Sequence, residues 1–239
     1  MDDQTGVARS APAHALTSLR TMKDRAVIFD NDGVIIDSEP MHIEADLRIL
    51  AEYGVQWAPS DLFRFIGVRD SEMWRILSEE LQLPDSPDVL REKKARIRQE
   101  VFAPHRIRPI DGIPELFDAL KAAGWKIAVA SSSQRSLIGP WLEAMGLLNL
   151  LDAFVAGDDV MHGKPHPEPY LLAASRLGVA SERCVSVEDS PHGIASAKAA
   201  GCRCIAFRNP FGPAQDLSRA DDIVDSIRDI LGRNLLALG

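Results

Sequence analysis

Five short apolar runs punctuate the chain, each closed by polar or turn-forming residues: AVIF (26–29), KIAVA (126–130), AFVA (153–156), CVSV (184–187) and CIAF (204–207). Continuous apolar runs of this length fit strands buried on both faces of a parallel sheet. Amphipathic stretches with readable ends lie between them. PELFDALKAAG has Pro114 near its start and Gly124 just past its end, and PEPYLLAASRLG and SPHGIASAKAAG stop likewise at Gly178 and Gly201. Strands alternating with helices predict βαβ units and a doubly wound parallel sheet, an α/β fold.

One stretch breaks the alternation. Residues 41–103 carry several helical patterns and no strand: MHIEADLRILAEYG, SDLFRFIG, RDSEMWRILSEELQL and SPDVLREKKARIRQEVF follow one another. The last opens on Ser86, a suitable N-cap, with Pro87 at the first helical position. An all-helical insert between the first two strands is therefore expected, entered and left near 37–40 and 104–111.

Composition narrows the function. A chain of 239 residues suits one core with a smaller insert. Its net charge of −8 leaves no general basic face for nucleic acid. No apolar run approaches the roughly 20 residues needed to cross a bilayer, so no membrane partner is expected. Cys184, Cys202 and Cys204 form an odd set without zinc-like spacing, which suits reduced thiols and a cytoplasmic location. Residues 1–22 lack the apolar region of a secretory signal and read as a flexible tail, with Met22 an equally good start.

Open α/β sheets build their sites beyond the carboxyl ends of the strands, so the residues after each apolar run carry the chemistry. The first run is followed by Asp30-Asn31-Asp32-Gly33 and the second by Ser131-Ser132-Ser133. The third leads through Gly157-Asp158-Asp159 to Gly163-Lys164-Pro165, and the fourth ends on Glu188-Asp189-Ser190. One acidic pair after a strand is ordinary turn punctuation; the ordered set is not. Asp30, Asp32, Glu188 and Asp189 on one edge would repel one another unless a cation sat among them. Oxygen ligands near a phosphate suit Mg²⁺. Lys164 adds a fixed positive charge and Ser131 a hydroxyl for a phosphate oxygen. This is a phosphoryl-transfer set, and the absence of GxxxxGK[ST] removes the nucleotide-cradling P-loop from consideration.

In this order, FDNDGVIIDSEP, IAVASSS, GKPHPEP and VEDSPHGIASAKAAG resemble the four motifs of the haloacid dehalogenase superfamily, specifically its β-phosphoglucomutase-like branch. The resemblance covers about residues 24–230. It implies a Rossmann-like core over 24–39 and 108–232, with a small helical cap over 40–107 and a tail over 1–23. Asp30 corresponds to the nucleophile that forms an aspartyl-phosphate, and Asp32 to the general acid–base. Ser131 and Lys164 correspond to the phosphate-binding hydroxyl and the lysine that steadies nucleophile and phosphoryl group. Asp189 corresponds to a metal ligand beside Asp30 and the backbone carbonyl of Asp32, with Glu188 assisting. His42 and Arg69 fall where cap residues reach substrate in this branch. Lys93 lies near a mutase-like cap lysine but reads as a solvated helix face.

The resemblance thus implies a Mg²⁺-dependent phosphatase acting on a small phosphorylated metabolite, a sugar phosphate, as a cytoplasmic monomer. A β-phosphoglucomutase-type isomerase shares every motif residue and stays open. A non-catalytic metabolite-binding protein would not need the intact Asp30, Asp32 and Lys164.

Overall fold

Strands β1 (Ala26–Phe29), β2 (Lys126–Ala130), β3 (Ala153–Val155), β4 (Cys184–Glu188), β5 (Arg203–Phe207) and β6 (Asp222–Val224) form one sheet in the order β3-β2-β1-β4-β5-β6. All five pairings are parallel. The structure is a computed structural model that describes residues 25–65, 70–210, 215–233 and 236. The predicted flexible tail lies outside the described residues. Successive β1 residues feed opposite layers: Val27 and Phe29 join one buried cluster, Ala26 and Ile28 the other. The first five strands fall where the apolar runs predict them. The sixth was not foreseen, because only Ile223 and Val224 are apolar in that short segment.

Register is what makes a site here. Phe29 pairs with Val129 of β2 and with Val187 of β4, so the three central strands end level with one another. Asp30, Ser131, Glu188 and Asp189 consequently leave the sheet at one edge.

Helices α1 (Glu39–Glu52), α2 (Pro59–Leu62), α3 (Asp70–Leu81) and α4 (Pro87–Val101) occupy the stretch between β1 and β2. They close round their own apolar cluster, with Ile49, Leu50, Trp74, Leu77 and Leu90 fully buried. Ser86 caps α4, its hydroxyl accepting from the Val89 N–H at 3.4 Å, and Pro87 follows as predicted. The chain segments that enter and leave this region touch: the Ile110 N–H donates to the Ile35 carbonyl at 2.7 Å, and Ile36 bridges Pro109. Helices α5 (Ile113–Ala122), α6 (Arg135–Ala144), α7 (Glu168–Leu177), α8 (Pro191–Ala199) and α9 (Arg228–Gly232) complete the α-helices of the described residues. Trp141 of α6 ties the two parts together, its indole N–H donating to the Phe102 carbonyl at 2.8 Å. No helix among the described residues is long and apolar enough to cross a membrane. The three cysteines are buried and free.

Candidate active site

Asp30 leaves the end of β1 almost wholly buried. Its Oδ1 accepts from the Asn31 backbone N–H at 2.7 Å and lies 2.8 Å from Lys164 Nζ. Lys164 Nζ also donates to Glu188 Oε1 at 2.6 Å, and the Tyr170 hydroxyl donates to that same oxygen. Burial alone would pull the Lys164 ammonium down, but Asp30 and Glu188 outweigh it and hold the group above the ordinary lysine range. Burial pushes the Asp30 carboxyl well above its usual range; Glu188 adds to this and Lys164 offsets part of it.

The lysine arrives from a turn held by its own hydrogen bonds. The Glu168 carboxylate accepts from the Met161 and His162 N–H groups at 2.9 and 3.0 Å. Ser196 of α8 donates to the His166 carbonyl at 2.6 Å. These contacts fix the loop on either side of Lys164, so its ammonium is aimed before any ligand arrives.

Glu188, with no exposed surface, is walled in by Lys164, Tyr170 and Ser190, the last at 3.4 Å from Oε2. Its neighbour Asp189 is half-buried, and its carboxyl is pushed up to about 7, chiefly by burial and then by the charge of Glu188. Asp30, Glu188 and Asp189 each bring one carboxylate oxygen within 4.8 Å of the others. Among the described residues three crowded carboxylates face a single ammonium, and every donor is an oxygen. That set fits a hard divalent cation.

Asp32 lies on the far side of Asn31. Its Oδ2 accepts from the Ser133 hydroxyl at 3.0 Å and from the Asn31 amide at 3.4 Å. Ser131 is buried at the end of β2, and its hydroxyl oxygen accepts from the Ser133 N–H at 3.0 Å. The three-serine turn therefore reaches both the edge beside Asp30 and the Asp32 carboxylate.

A family model of haloacid dehalogenase-like hydrolases matches residues 27–207. The chain belongs to this family. The phosphorylated carbohydrates phosphatase of Thermotoga maritima is 36% identical over 176 residues, 74% of this chain and 81% of that protein. The fructose-1-phosphate phosphatase of Escherichia coli is 34% identical over 184 residues, 76% of this chain and 95% of that one. A HAD family hydrolase from Deinococcus radiodurans, crystallised with bound phosphate and sodium, superposes with a TM-score of 0.76 at 31% identity. The match covers 90% of this chain and 98% of that one. This haloacid dehalogenase-like hydrolase is a phosphoric monoester hydrolase, like its named relatives.

The structure brings together Asp30, Asp32, Ser131, Lys164, Glu188 and Asp189 on one sheet edge. His42 stands on α1 with its ring edge-on to Phe102, centroids 4.8 Å apart. Burial, and then the charges of Lys94 and Arg98, lower its pKa to about 4, so it is a neutral imidazole at ordinary pH. Arg69 lies outside the described residues. Lys93 turns away into a surface cluster with Glu52 at 3.0 Å, Asp85 at 3.1 Å and the Tyr53 hydroxyl.

Sequence reasoning passed over two groups that touch the site. Ser133 reads as ordinary loop polarity, and it is the bond of its hydroxyl to Asp32 that brings it to the chemistry. Tyr170, in the first turn of α7, reads as an amphipathic core residue. Its buried hydroxyl on Glu188 is visible only once β4 and α7 are packed.

Proposed function

We propose that this enzyme is a Mg²⁺-dependent phosphatase that hydrolyses a small phosphorylated metabolite, a sugar phosphate, through an aspartyl-phosphate on Asp30. The observation that carries the reading is the pinned Asp30 carboxylate. Both donors, Asn31 and Lys164, act on Oδ1, which sets the rotation of the group and leaves Oδ2 to face an incoming phosphorus atom. Lys164, itself anchored by Glu188, holds positive charge where the phosphoryl oxygens gather.

Asp30, Asp189 and the backbone carbonyl of Asp32 would hold Mg²⁺, with Glu188 behind them as the anchor of Lys164. When bound, the ion offsets the charge of the carboxylates and of the phosphoryl oxygens. Asp30 attacks phosphorus, and the ester oxygen leaves with a proton from Asp32. Asp32, now a carboxylate held by Ser133, takes a proton from a water that attacks the phosphorus. Inorganic phosphate departs and the Asp30 carboxylate is restored. Ser131 contributes a hydroxyl to a phosphoryl oxygen. His42, a neutral imidazole in the field of Asp32, would bond the substrate, and Arg69 is assigned the same role from the sequence resemblance.

Helices α1 to α4 serve as a lid that excludes bulk water over the sheet edge. The enzyme is a cytoplasmic monomer on this reading. Hydrolysis is favoured over phosphoryl return because it needs only Asp32 and a water once the alcohol departs, whereas a mutase must also keep water from the phosphoenzyme. Lys93, the mutase-like candidate, is engaged by Glu52 and Asp85 instead.

The test is a panel of phosphorylated metabolites assayed for phosphate release with Mg²⁺. Release from a sugar phosphate is expected, without efficient conversion of β-glucose 1-phosphate to glucose 6-phosphate when glucose 1,6-bisphosphate is present. Efficient conversion would assign the site to a mutase.

A further inference from the structure

Helix α4 carries five cations, and one of them stands apart. Arg91 pairs with Asp88 at 3.3 Å, and Lys93 is held by Glu52 and Asp85. Lys94 is buried between Asp46 and Asp70, each at 2.8 Å, and Arg96 is exposed. Arg98 is half-buried; its charge reaches Asp46, yet among the described residues no carboxylate lies within ion-pair distance of it. Its guanidinium rests over the Phe102 ring, 5.2 Å from the centroid.

That position opens onto a cleft of about 630 Å³ between α4 and the turn after β2, lined by Ala95, Arg98, Gln99, Ser132, Ser133 and Gln134 among others. Among the described residues Arg98 is the only charged group in its lining. Ser133 links the cleft to the chemistry, since its hydroxyl bonds Asp32 Oδ2 at 3.0 Å. His42 packs on the same Phe102 ring and lies in the fields of both Arg98 and Asp32. The cleft therefore adjoins Asp32, which on the phosphatase reading gives the leaving oxygen its proton. Lys164, 2.8 Å from Asp30 Oδ1, is the cation that attends the transferred phosphoryl group on that reading. Lys94 adds no free charge, because Asp46 and Asp70 neutralise it.

We infer that Arg98 is a specificity-determining residue that binds a second oxyanion on the leaving group, so that the preferred substrate is a small phosphomonoester with another negative charge. This rests on the phosphatase reading above and adds the substrate class. A half-buried guanidinium facing serines and glutamines is an incomplete site: it loses water when the lid closes and gains nothing from neutral hydroxyls that matches a bidentate carboxylate or phosphate. The packing of Arg98 over Phe102 pre-orders the fork for such a group.

The experiment compares wild type, Arg98→Gln and Arg98→Lys with Mg²⁺ on matched pairs of esters. Fructose 1-phosphate is set against fructose 1,6-bisphosphate, and glucose 6-phosphate against 6-phosphogluconate, with p-nitrophenyl phosphate as a substrate lacking any distal group. The pairs separate a second phosphate from a carboxylate as the group bound. In at least one pair, wild type should favour the member with the second anionic group in kcat/KM by about 10- to 100-fold, mostly through KM. Arg98→Gln should erase that preference, Arg98→Lys should keep part of it, and p-nitrophenyl phosphate turnover should hold in both. Equal losses on both members of each pair, or a wild type that does not prefer the member with the second anionic group in either pair, would overturn the inference and leave Arg98 as packing for Phe102. Failure of wild type to hydrolyse p-nitrophenyl phosphate and every ester would overturn the phosphatase reading itself, and the inference with it.

Discussion

Gly33 and Asp189 occupy space that only a glycine leaves open: a Cβ on Gly33 would lie 1.9 Å from Asp189 Oδ2. Gly33 also has φ +80°, in the left-handed region that disfavours side chains. The turn that follows the nucleophile thus lets the loop after β4 come close enough to crowd Asp189 against Asp30. Gly33→Ala should push the Asp189 carboxylate out of place. Stability is expected to fall by about 1–3 kcal/mol, and the Mg²⁺ concentration giving half-maximal turnover should rise. Thermal melting and a metal titration of activity check this; an unchanged metal requirement would show that Asp189 keeps its place without the glycine.

Tyr170 matters through Glu188 rather than through substrate. Its hydroxyl donates to a carboxylate with no exposed surface, and burial followed by the charge of Glu188 keeps the phenol protonated far above its usual range. Tyr170→Phe removes that donor and leaves Glu188 to Lys164 and Ser190. A loss of about 1.5–3 kcal/mol in urea unfolding is expected for a buried bond to a charged acceptor. Turnover should drop as well, since Lys164 then balances an altered anchor.

The neutral state of His42 gives the fold a pH dependence of definite sign. Burial lowers its pKa to about 4 from an ordinary 6.5, so the unfolded chain binds the proton more readily. The stability this contributes is fully present above pH 6.5 and is lost as pH falls toward 4, about 3 kcal/mol in all. Asp46 acts oppositely in the same window: burial raises its carboxyl to about 6, so its contribution is lost as pH rises through that value. The two separate by comparing wild type with His42→Asn. The difference in unfolding free energy between the two proteins should shrink steadily from pH 7 to pH 4. A constant difference would mean that His42 titrates alike in both states.

The strands that build the site were legible because each combines a buried apolar run with a change to polar residues at one end. Asp30, Lys164, Glu188 and Asp189 could therefore be placed on one edge from sequence order alone. β6 escaped because an edge strand of three residues needs little apolar surface, and Asp222 pairs in register with Ile205 as readily as a valine would. On α4, neighbouring lysines look alike in sequence, yet one turns to solvent-side partners and the other is buried on Asp46. Arg98 was equally silent. Its meaning comes from a missing partner and an adjoining cleft, neither of which is a property of sequence spacing.

Metal removal addresses the crowded carboxylates. Chelation should abolish turnover, and Mg²⁺ should restore it, because Asp30, Glu188 and Asp189 face only Lys164 as a counter-charge among the described residues. Undiminished turnover in protein shown by mass spectrometry to hold no divalent ion would contradict that assignment.

Asp30→Asn tests the nucleophile directly, since the amide preserves the shape of the group but is a poor nucleophile toward phosphorus. The substitution also removes a buried negative charge that burial and Glu188 disfavour, so the variant should melt no lower than wild type. The decisive measurement is the turnover of folded Asp30→Asn on a sugar phosphate with saturating Mg²⁺. A loss of at least about a thousandfold is predicted; turnover close to wild type would contradict the aspartyl-phosphate mechanism.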